Sequence, residues 1–379
     1  MIRIPIEPKL TQYLHTKAAL AGIPLNGTFE LTPCCNLSCK MCYVRMTKQQ
    51  QEAIRPLHTA KEWIALGKKA RESGLLYLLL TGGEPFLHPQ FREIITELSK
   101  LGLIISINSN GTMINEEVIS WLKDVAPFRI NITLYGASNE TYERLCGHPH
   151  GFTQVTHAIR LLKEAGITVK INCSVTPYNA QDLEGIFAFA KKEGLVVQAA
   201  SYMFPPLRRD KEMIGKNDRF SAEEAAYQQA RIACYLNGED DFLSRMKKNA
   251  PLVMNDVDEV ELPKEGTKIR CRAGKCSFWI TWDGRMLPCG IFPGEHAKNV
   301  FEEDFLHVWE SVKKETDAIR MPAKCSSCNL QDQCKACAAM ALTETGSFSK
   351  VPDYRCQMEQ NLYGAYKKLE EELLARKKE

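Results

Sequence analysis

Short apolar, β-prone runs punctuate the chain at residues 28–31, 77–80, 104–108, 130–134, 169–175 and 196–202, and helix-like stretches separate them. Strands alternating with helices predict βαβ units around a parallel sheet. Several helices carry start or stop signals. Thr59-Ala60-Lys61-Glu62 reads as a capping box, in which hydroxyl and carboxylate satisfy backbone N–H groups at a helix start, ahead of Trp63, Ile64 and Leu66. Lys163-Glu164-Ala165-Gly166 and Lys191-Lys192-Glu193-Gly194 place Gly just past a last helical turn. Six repeats are too few for a closed eight-stranded barrel and enough for an open one.

The rhythm breaks after residue 203. Pro205-Pro206 and the charge-rich Arg208-Arg209-Asp210-Lys211 mark a linker. Ser221-Ala222-Glu223-Glu224 is a second capping box, opening a helix to about Leu236. In Phe278-Trp279-Ile280-Thr281-Trp282-Asp283-Gly284-Arg285-Met286-Leu287, Asp283-Gly284 between two β-prone runs predicts a hairpin with a type I′ turn, both central residues at positive φ. Leu362, Tyr366, Leu369 and Leu373 predict an amphipathic C-terminal helix. The expected segments are a lead-in at 1–26, a core at 27–203, a helical bridge at 204–268, a Cys-rich domain at 269–358 and a helix at 359–379.

The 379 residues leave room for two or three domains. A net charge of +3, with Lys247-Lys248, Lys313-Lys314 and Arg376-Lys377-Lys378 scattered, argues against nucleic acid as a partner. The N-terminus lacks the features of a signal peptide, and no run reaches the roughly 18 apolar residues of a membrane span. Fifteen cysteines without a secretory signal point to reduced thiols in a cytoplasmic protein, used for metal or redox work.

The cysteines have structure of their own. Cys35, Cys39 and Cys42 follow the first strand at x3 and x2 spacing. Thiolates are soft ligands that suit iron–sulfur clusters or zinc. Three of them leave one corner of a four-iron cluster without a protein ligand, open to a small chelating molecule. The alternative is a zinc loop missing its fourth ligand, although tetrahedral zinc usually takes paired CxxC or Cys/His groups. Thr81-Gly82-Gly83-Glu84-Pro85 follows the second strand. Two glycines let backbone approach a ligand closely, and Glu84 offers acceptors to a cation; otherwise this is an ordinary βα turn. Asn108-Ser109-Asn110-Gly111 follows the third strand and Tyr135-Gly136 the fourth, so the polar turns gather on one rim.

CxxxCxxC followed by Tyr43, with GGEP about forty residues later, resembles the signature of the radical S-adenosylmethionine (SAM) enzymes. That resemblance implies a partial (βα)6 TIM barrel. It implies a [4Fe–4S] cluster on Cys35, Cys39 and Cys42 whose open iron is chelated by SAM. It also implies that Gly82, Gly83 and Glu84 hold the SAM ammonium group, that Tyr43 packs near the adenine, that Asn108 and Asn110 contact the ribose, and that Arg144 lies near the SAM carboxylate. Cys271, Cys276 and Cys289, then Cys325-x2-Cys328-x5-Cys334-x2-Cys337 and Cys356, resemble the SPASM extension of these enzymes, which usually binds two further [4Fe–4S] clusters. By motif order, Cys271, Cys276, Cys289 and Cys337 would hold the first, and Cys325, Cys328, Cys334 and Cys356 the second. One departure stands out. Only Lys335 and Ala336 separate Cys334 from Cys337, where the family commonly has three residues, which puts Cys337 in doubt and would leave an open iron. A zinc ribbon of Cys325, Cys328, Cys334 and Cys337 is the structural alternative.

The implied function is reductive cleavage of SAM to a 5′-deoxyadenosyl radical that abstracts hydrogen from a peptide or small protein, as in maturation of ribosomally made peptides. Crosslinking, thioether formation or another oxidation would result. An electron donor such as flavodoxin or ferredoxin and a separate peptide-recognition protein are the expected partners. The competing readings are a small-molecule enzyme of the tetrapyrrole or quinone-cofactor kind and an anaerobic sulfatase maturase. Against the latter, maturases carry an aspartate base where this chain has Gly290. A non-catalytic iron–sulfur or zinc protein would leave GGEP without a purpose. Tyr135, His148, His150 and Tyr202 are general acid or base candidates by position alone.

Overall fold

The computed structural model describes residues 8–250, 252, 268–330 and 333–378; most of 251–267, in the predicted bridge, lies outside them. Helix α1 (Lys9–Ala21) leads into β1 (Asn26–Glu30). There follow α2 (Lys48–Ile54), α3 (Ala60–Glu72), β2 (Tyr77–Thr81), α4 (Phe91–Ser99), β3 (Ile104–Ser109), α5 (Glu116–Val125), β4 (Arg129–Thr133), α6 (Asn139–Cys146), α7 (Gly151–Glu164), β5 (Val169–Ser174), α8 (Leu183–Glu193) and β6 (Val196–Ala200). All six strands run parallel, in the order β6-β5-β4-β3-β2-β1.

Alternation along the strands decides the two faces. Leu78, Leu80, Ile105, Ile107, Ile130, Ile132 and Ile171 pack in one cluster with Leu66, Ile94, Leu98, Leu122, Ile159 and Leu162 of the helices. Truncating one such side chain to Ala costs about 2–5 kcal/mol. On β4 and β5 the alternate positions are polar (Arg129, Asn131, Thr133; Lys170, Asn172, Ser174), and Asn131 Nδ2 donates to Asn108 Oδ1 on the next strand at 2.8 Å. The capping box at Thr59 forms in both directions, Glu62 N–H to Thr59 Oγ1 at 3.3 Å and Thr59 N–H to Glu62 Oε2 at 2.7 Å. The described part of the lead-in, from residue 8, is largely helical. It holds α1, whose buried His15 stacks on Tyr77 of β2 with ring centroids 5.1 Å apart.

The second half contains α9 (Ala222–Asn237), α10 (Glu239–Lys247), β7 (Ser277–Ile280), β8 (Met286–Leu287), α11 (Phe305–Ala318), α12 (Ala323–Ser326), α13 (Ala338–Thr345) and α14 (Asp353–Arg376). Ser221 caps the Glu224 N–H, but the Glu224 carboxylate accepts from Gln228 at 2.6 Å rather than closing the box. Ala222, Ala225, Ala226 and Ala230 give α9 a smooth face against Met358, Ala365, Leu369 and Leu373 of α14. The C-terminal helix therefore begins at Asp353, well before 359, and already carries Cys356.

The hairpin differs from expectation in two ways. Its first strand joins the barrel sheet: β7 pairs parallel with β1, Asn26 opposite Ser277 and Phe29 opposite Ile280, and β8 pairs antiparallel with β7. Its turn is not type I′. Gly284 N–H donates to Thr281 C=O at 2.8 Å, and Gly284 alone takes positive φ, at 93°. The Thr281 N–H bonds the Arg285 carbonyl at 3.0 Å, which makes a three-residue loop with a bulge at Gly284.

Candidate functional site

The cysteine loop leaves β1 and crosses the C-terminal ends of the strands, held from two sides. On one side Gly83 N–H donates to Thr32 C=O at 2.6 Å and Glu84 N–H to Cys34 C=O at 2.8 Å. A Cβ on Gly82 would come 2.5 Å from the Thr32 oxygen, and one on Gly83 would strike the Cys34 carbonyl. The glycine pair thus lets the β2 end lie against the cysteine loop itself. On the other side Ser38 N–H donates to Cys146 C=O at 2.7 Å and Lys40 N–H to Leu145 C=O at 3.1 Å, at the end of α6. Leu37 and Met41 are buried in the core and pin the loop between its cysteines.

The thiols of Cys35, Cys39 and Cys42 are half-buried and within electrostatic reach of one another. N–H groups aim at two of the sulfurs: Leu37 at Cys35 Sγ, 3.4 Å, and Arg45 at Cys42 Sγ, 3.3 Å. Asn110 Nδ2 adds a contact to Cys35 Sγ at 3.6 Å. Burial pushes the Cys35 thiol up to about 12 and raises Cys42 as well; Cys39 is raised first by its hydrogen bond with buried Cys146. Loading a metal must release these protons, and the cation then reverses the local preference. Among the described residues no three ligand groups already close to chelating geometry, so loading would also draw the thiols together. Soft donors, aimed N–H groups and a loop anchored at both flanks fit a cluster.

Glu84 is fully buried. It accepts from Ser109 Oγ at 3.0 Å, Asn110 N–H at 2.8 Å and Phe86 N–H at 3.2 Å, which takes about three of its four acceptor positions and ties β2 to β3. Burial still outweighs these donors and lifts its pKa to about 7. Asn110 bridges Glu84 to the cysteine loop, donating to Asn36 Oδ1 at 2.9 Å, whereas Asn108 lies deeper, bonded to Asn131. Arg144 projects outward and donates to the Tyr178 carbonyl at 2.8 Å. Of the acid–base candidates, Tyr135 alone reaches the triad. Burial, then Cys39 and Cys42, raise its pKa. His148 bonds Gln154 on the surface and His150 is exposed. Tyr202 is tied to Glu344 of α13 at 2.5 Å, beside the Arg219–Glu344 ion pair.

The charge-rich stretch read as a linker is instead a clamp. Arg208 donates to both carboxylate oxygens of buried Glu30 at 2.8 Å and to the Gly290 carbonyl at 3.0 Å. Trp279 Nε1 donates to the same carboxylate at 3.0 Å, and Arg209 reaches the Cys42 carbonyl at 2.9 Å. Tyr43 is half-buried beside this pair, its ring centroid 6.0 Å from the Arg208 guanidinium. Nothing local in the sequence pairs Glu30 with Arg208; the one signal was a lone carboxylate in an apolar strand.

The later cysteines fall into two neighbourhoods. Cys271, Cys289 and Cys337 line one apolar cluster with Ile269, Phe292, Ala338 and Ala339. Burial pushes Cys289 up to about 12 and Cys337 up to about 11, and each feels the Cys271 thiol. Cys276 is buried, on the tight turn leading into β7. Cys325 is within electrostatic reach of Cys328, Cys334 and Cys356. At Gly290, next to Cys289, a Cβ would lie 2.6 Å from the Trp279 ring, so the site has no room for an aspartate.

Residues 29–190 match the Radical SAM superfamily and residues 271–338 the SPASM iron-sulfur cluster-binding domain. The AdoMet-dependent heme synthase of Methanosarcina barkeri is 26% identical over 351 residues, 89% of this chain and 97% of its own. The sporulation killing factor maturation protein SkfB of Bacillus subtilis is 27% identical over 295 residues, 75% of this chain and 65% of its own length. In fold, the chain is similar to Streptococcus suis SuiB bound to the precursor peptide SuiA, with TM-score 0.67 and 18% identity, covering 94% of this chain and 83% of that one. The cysteine loop laid on the Gly82-Gly83 turn, and the two matched domains around it, make this chain a radical SAM enzyme with a C-terminal SPASM domain.

Proposed function

We propose that the enzyme abstracts a hydrogen atom from a peptide or small protein and completes an oxidation of it. The observation that carries the chemistry is the three-thiol loop fastened between the Gly82-Gly83 turn and the end of α6. With a [4Fe–4S] cluster on Cys35, Cys39 and Cys42, bound SAM supplies the 5′-deoxyadenosyl radical. The chain's own residues orient that chemistry. Gly82, Gly83 and Glu84 hold the SAM ammonium group, Tyr43 packs at the adenine, and Asn108 and Asn110 serve the ribose. Asn110 has the firmest support, since it touches both Glu84 and Cys35. Arg144 serves the SAM carboxylate, exchanging its bond to the Tyr178 carbonyl for the ligand.

Cys271, Cys276, Cys289 and Cys337 hold one auxiliary [4Fe–4S] cluster, and Cys325, Cys328, Cys334 and Cys356 the other. These bind substrate or accept its electron, and a cytoplasmic flavodoxin or ferredoxin reduces the SAM cluster. The proximity of Cys337 to Cys271 supports a fully ligated first cluster despite the short spacing. SkfB and the SuiB–SuiA complex support a peptide substrate. A second reading, a tetrapyrrole substrate, is favoured by the heme synthase match over 97% of that protein's length.

The test is anaerobic reconstitution followed by SAM turnover with a peptide encoded beside the gene and, separately, an iron tetrapyrrole precursor. Three clusters give about 12 iron per chain, and Cys337→Ala loses as much iron as Cys325→Ala. Smaller loss in Cys337→Ala would return the open iron. Stimulation of 5′-deoxyadenosine formation by the peptide supports the first reading, and stimulation by the tetrapyrrole alone replaces it with the second.

A further inference from the structure

Arg355 stands where the two C-terminal cysteine groups meet. It lies on the first turn of α14 beside Cys356 and is only 8% exposed. Glu359, one turn on and 7% exposed, accepts from Arg355 Nη2 at 2.5 Å. That bond uses one arm of the guanidinium. The buried Arg355 Nε has no hydrogen-bond partner, a state that native proteins seldom leave unexplained. The Arg355 guanidinium lies within electrostatic reach of Cys334 of one group and of Cys337 of the other. Glu359 faces Cys334 with the opposite sign, and Lys335 acts on Glu359. The buried Arg208–Glu30 pair makes a useful contrast, because its guanidinium is committed to Glu30 and Gly290.

We propose that Arg355 offers its Nε–H to sulfur at the junction of the two groups, and that the Arg355–Glu359 pair sets the reduction potentials of the two auxiliary clusters; this rests on the cluster assignment above. The physics fixes the signs. A cluster gains negative charge on reduction, so a buried cation and an N–H···S contact stabilise the reduced form and raise the potential. The neighbouring carboxylate offsets the cation, and its removal raises the potential further.

The test uses the full chain with Cys35, Cys39 and Cys42 replaced by Ala, so that spectra report the auxiliary clusters alone. Redox titrations followed by electron paramagnetic resonance compare this background with added Arg355→Gln, Arg355→Lys or Glu359→Gln. The expected result is about 8 iron per chain throughout. Potentials become more negative in Arg355→Gln, more positive in Glu359→Gln, and intermediate in Arg355→Lys. Unmoved potentials, or shifts of the same sign in Arg355→Gln and Glu359→Gln, overturn the proposal. If Arg355→Gln does not load iron, Glu359→Gln decides: a positive shift supports the proposal, and no shift or a negative one overturns it. A background without auxiliary iron signals overturns the cluster assignment itself, and this inference with it.

Discussion

Leu78, Leu80, Ile105, Ile107, Ile130, Ile132 and Ile171 of the barrel strands are each at most 3% exposed, whereas the apolar cluster beneath Cys271, Cys289 and Cys337 has four buried members, two of them alanines. The barrel loop that carries the triad is fixed by backbone hydrogen bonds and by Leu37 and Met41. Of the C-terminal cysteines, Cys325 lies on the four-residue α12 and Cys356 on the first turn of α14, while Cys276, Cys289, Cys328, Cys334 and Cys337 lie on turns and loops. At about 25 cal/mol per Å² of apolar burial, the first region has ample driving force to fold without metal, whereas the loops around the C-terminal cysteines have little of their own, since β7 and α11 bury their apolar side chains in the barrel cluster. On the proposed ligand assignment, the difference teaches that similar thiols would serve unlike purposes: chemistry on a finished scaffold in the barrel, and cross-linking of loosely packed loops at the C-terminal end.

The largest expected effect separates the two outright. Replacing Cys35, Cys39 and Cys42 by Ala leaves the fold and the auxiliary clusters, drops iron from about 12 to about 8 per chain, and abolishes 5′-deoxyadenosine formation. Persistent SAM cleavage in that variant, measured by chromatography, breaks the assignment. Next, stripping all iron releases the amides around Cys325, Cys328, Cys334 and Cys337 to hydrogen exchange while the β2–β5 amides stay protected. Equal loss of protection in both regions removes the comparison altogether.

Arg208→Met sharpens the contact between the regions. It strands the Glu30 carboxylate, 1% exposed, with Trp279 as its remaining donor, and costs about 3–5 kcal/mol in denaturant unfolding. The smallest effect lies inside the barrel. Glu84 has its pKa raised from 4.5 to about 7 by burial, so the folded state keeps a proton that the unfolded state releases. In metal-free protein that stabilisation is complete below about pH 4.5 and falls by up to about 3 kcal/mol as pH rises to 7. Glu84→Gln flattens the slope; an unchanged slope assigns it to other groups.

Much of this was legible in the residues. The six strands, the Thr59–Glu62 capping box and the placement of the glycine turn beside the triad all follow from local pattern. What was not legible depends on distant partners. Arg208 sits in a charged run that reads as solvated, and only Glu30, far back in the chain, draws it inside. β7 looks like half of a free hairpin until β1 offers it an edge. The motif also gives no sign that the Gly82-Gly83 pair lies against the carbonyls of Thr32 and Cys34. Asp283-Gly284 suggested the wrong turn because a bulge at Gly284 also satisfies the strand twist.

The parallel pairing of β1 with β7 also sets a clock on biosynthesis. β1 leaves the ribosome about 250 residues before the strand that covers its outer edge. At about 5–20 residues per second, that edge stays bare for roughly 10–50 s. During this interval its unpaired N–H and C=O groups can recruit strands from other chains. The nascent enzyme is thus most prone to aggregate before its last quarter is made, and shielding by a chaperone matters most in that interval.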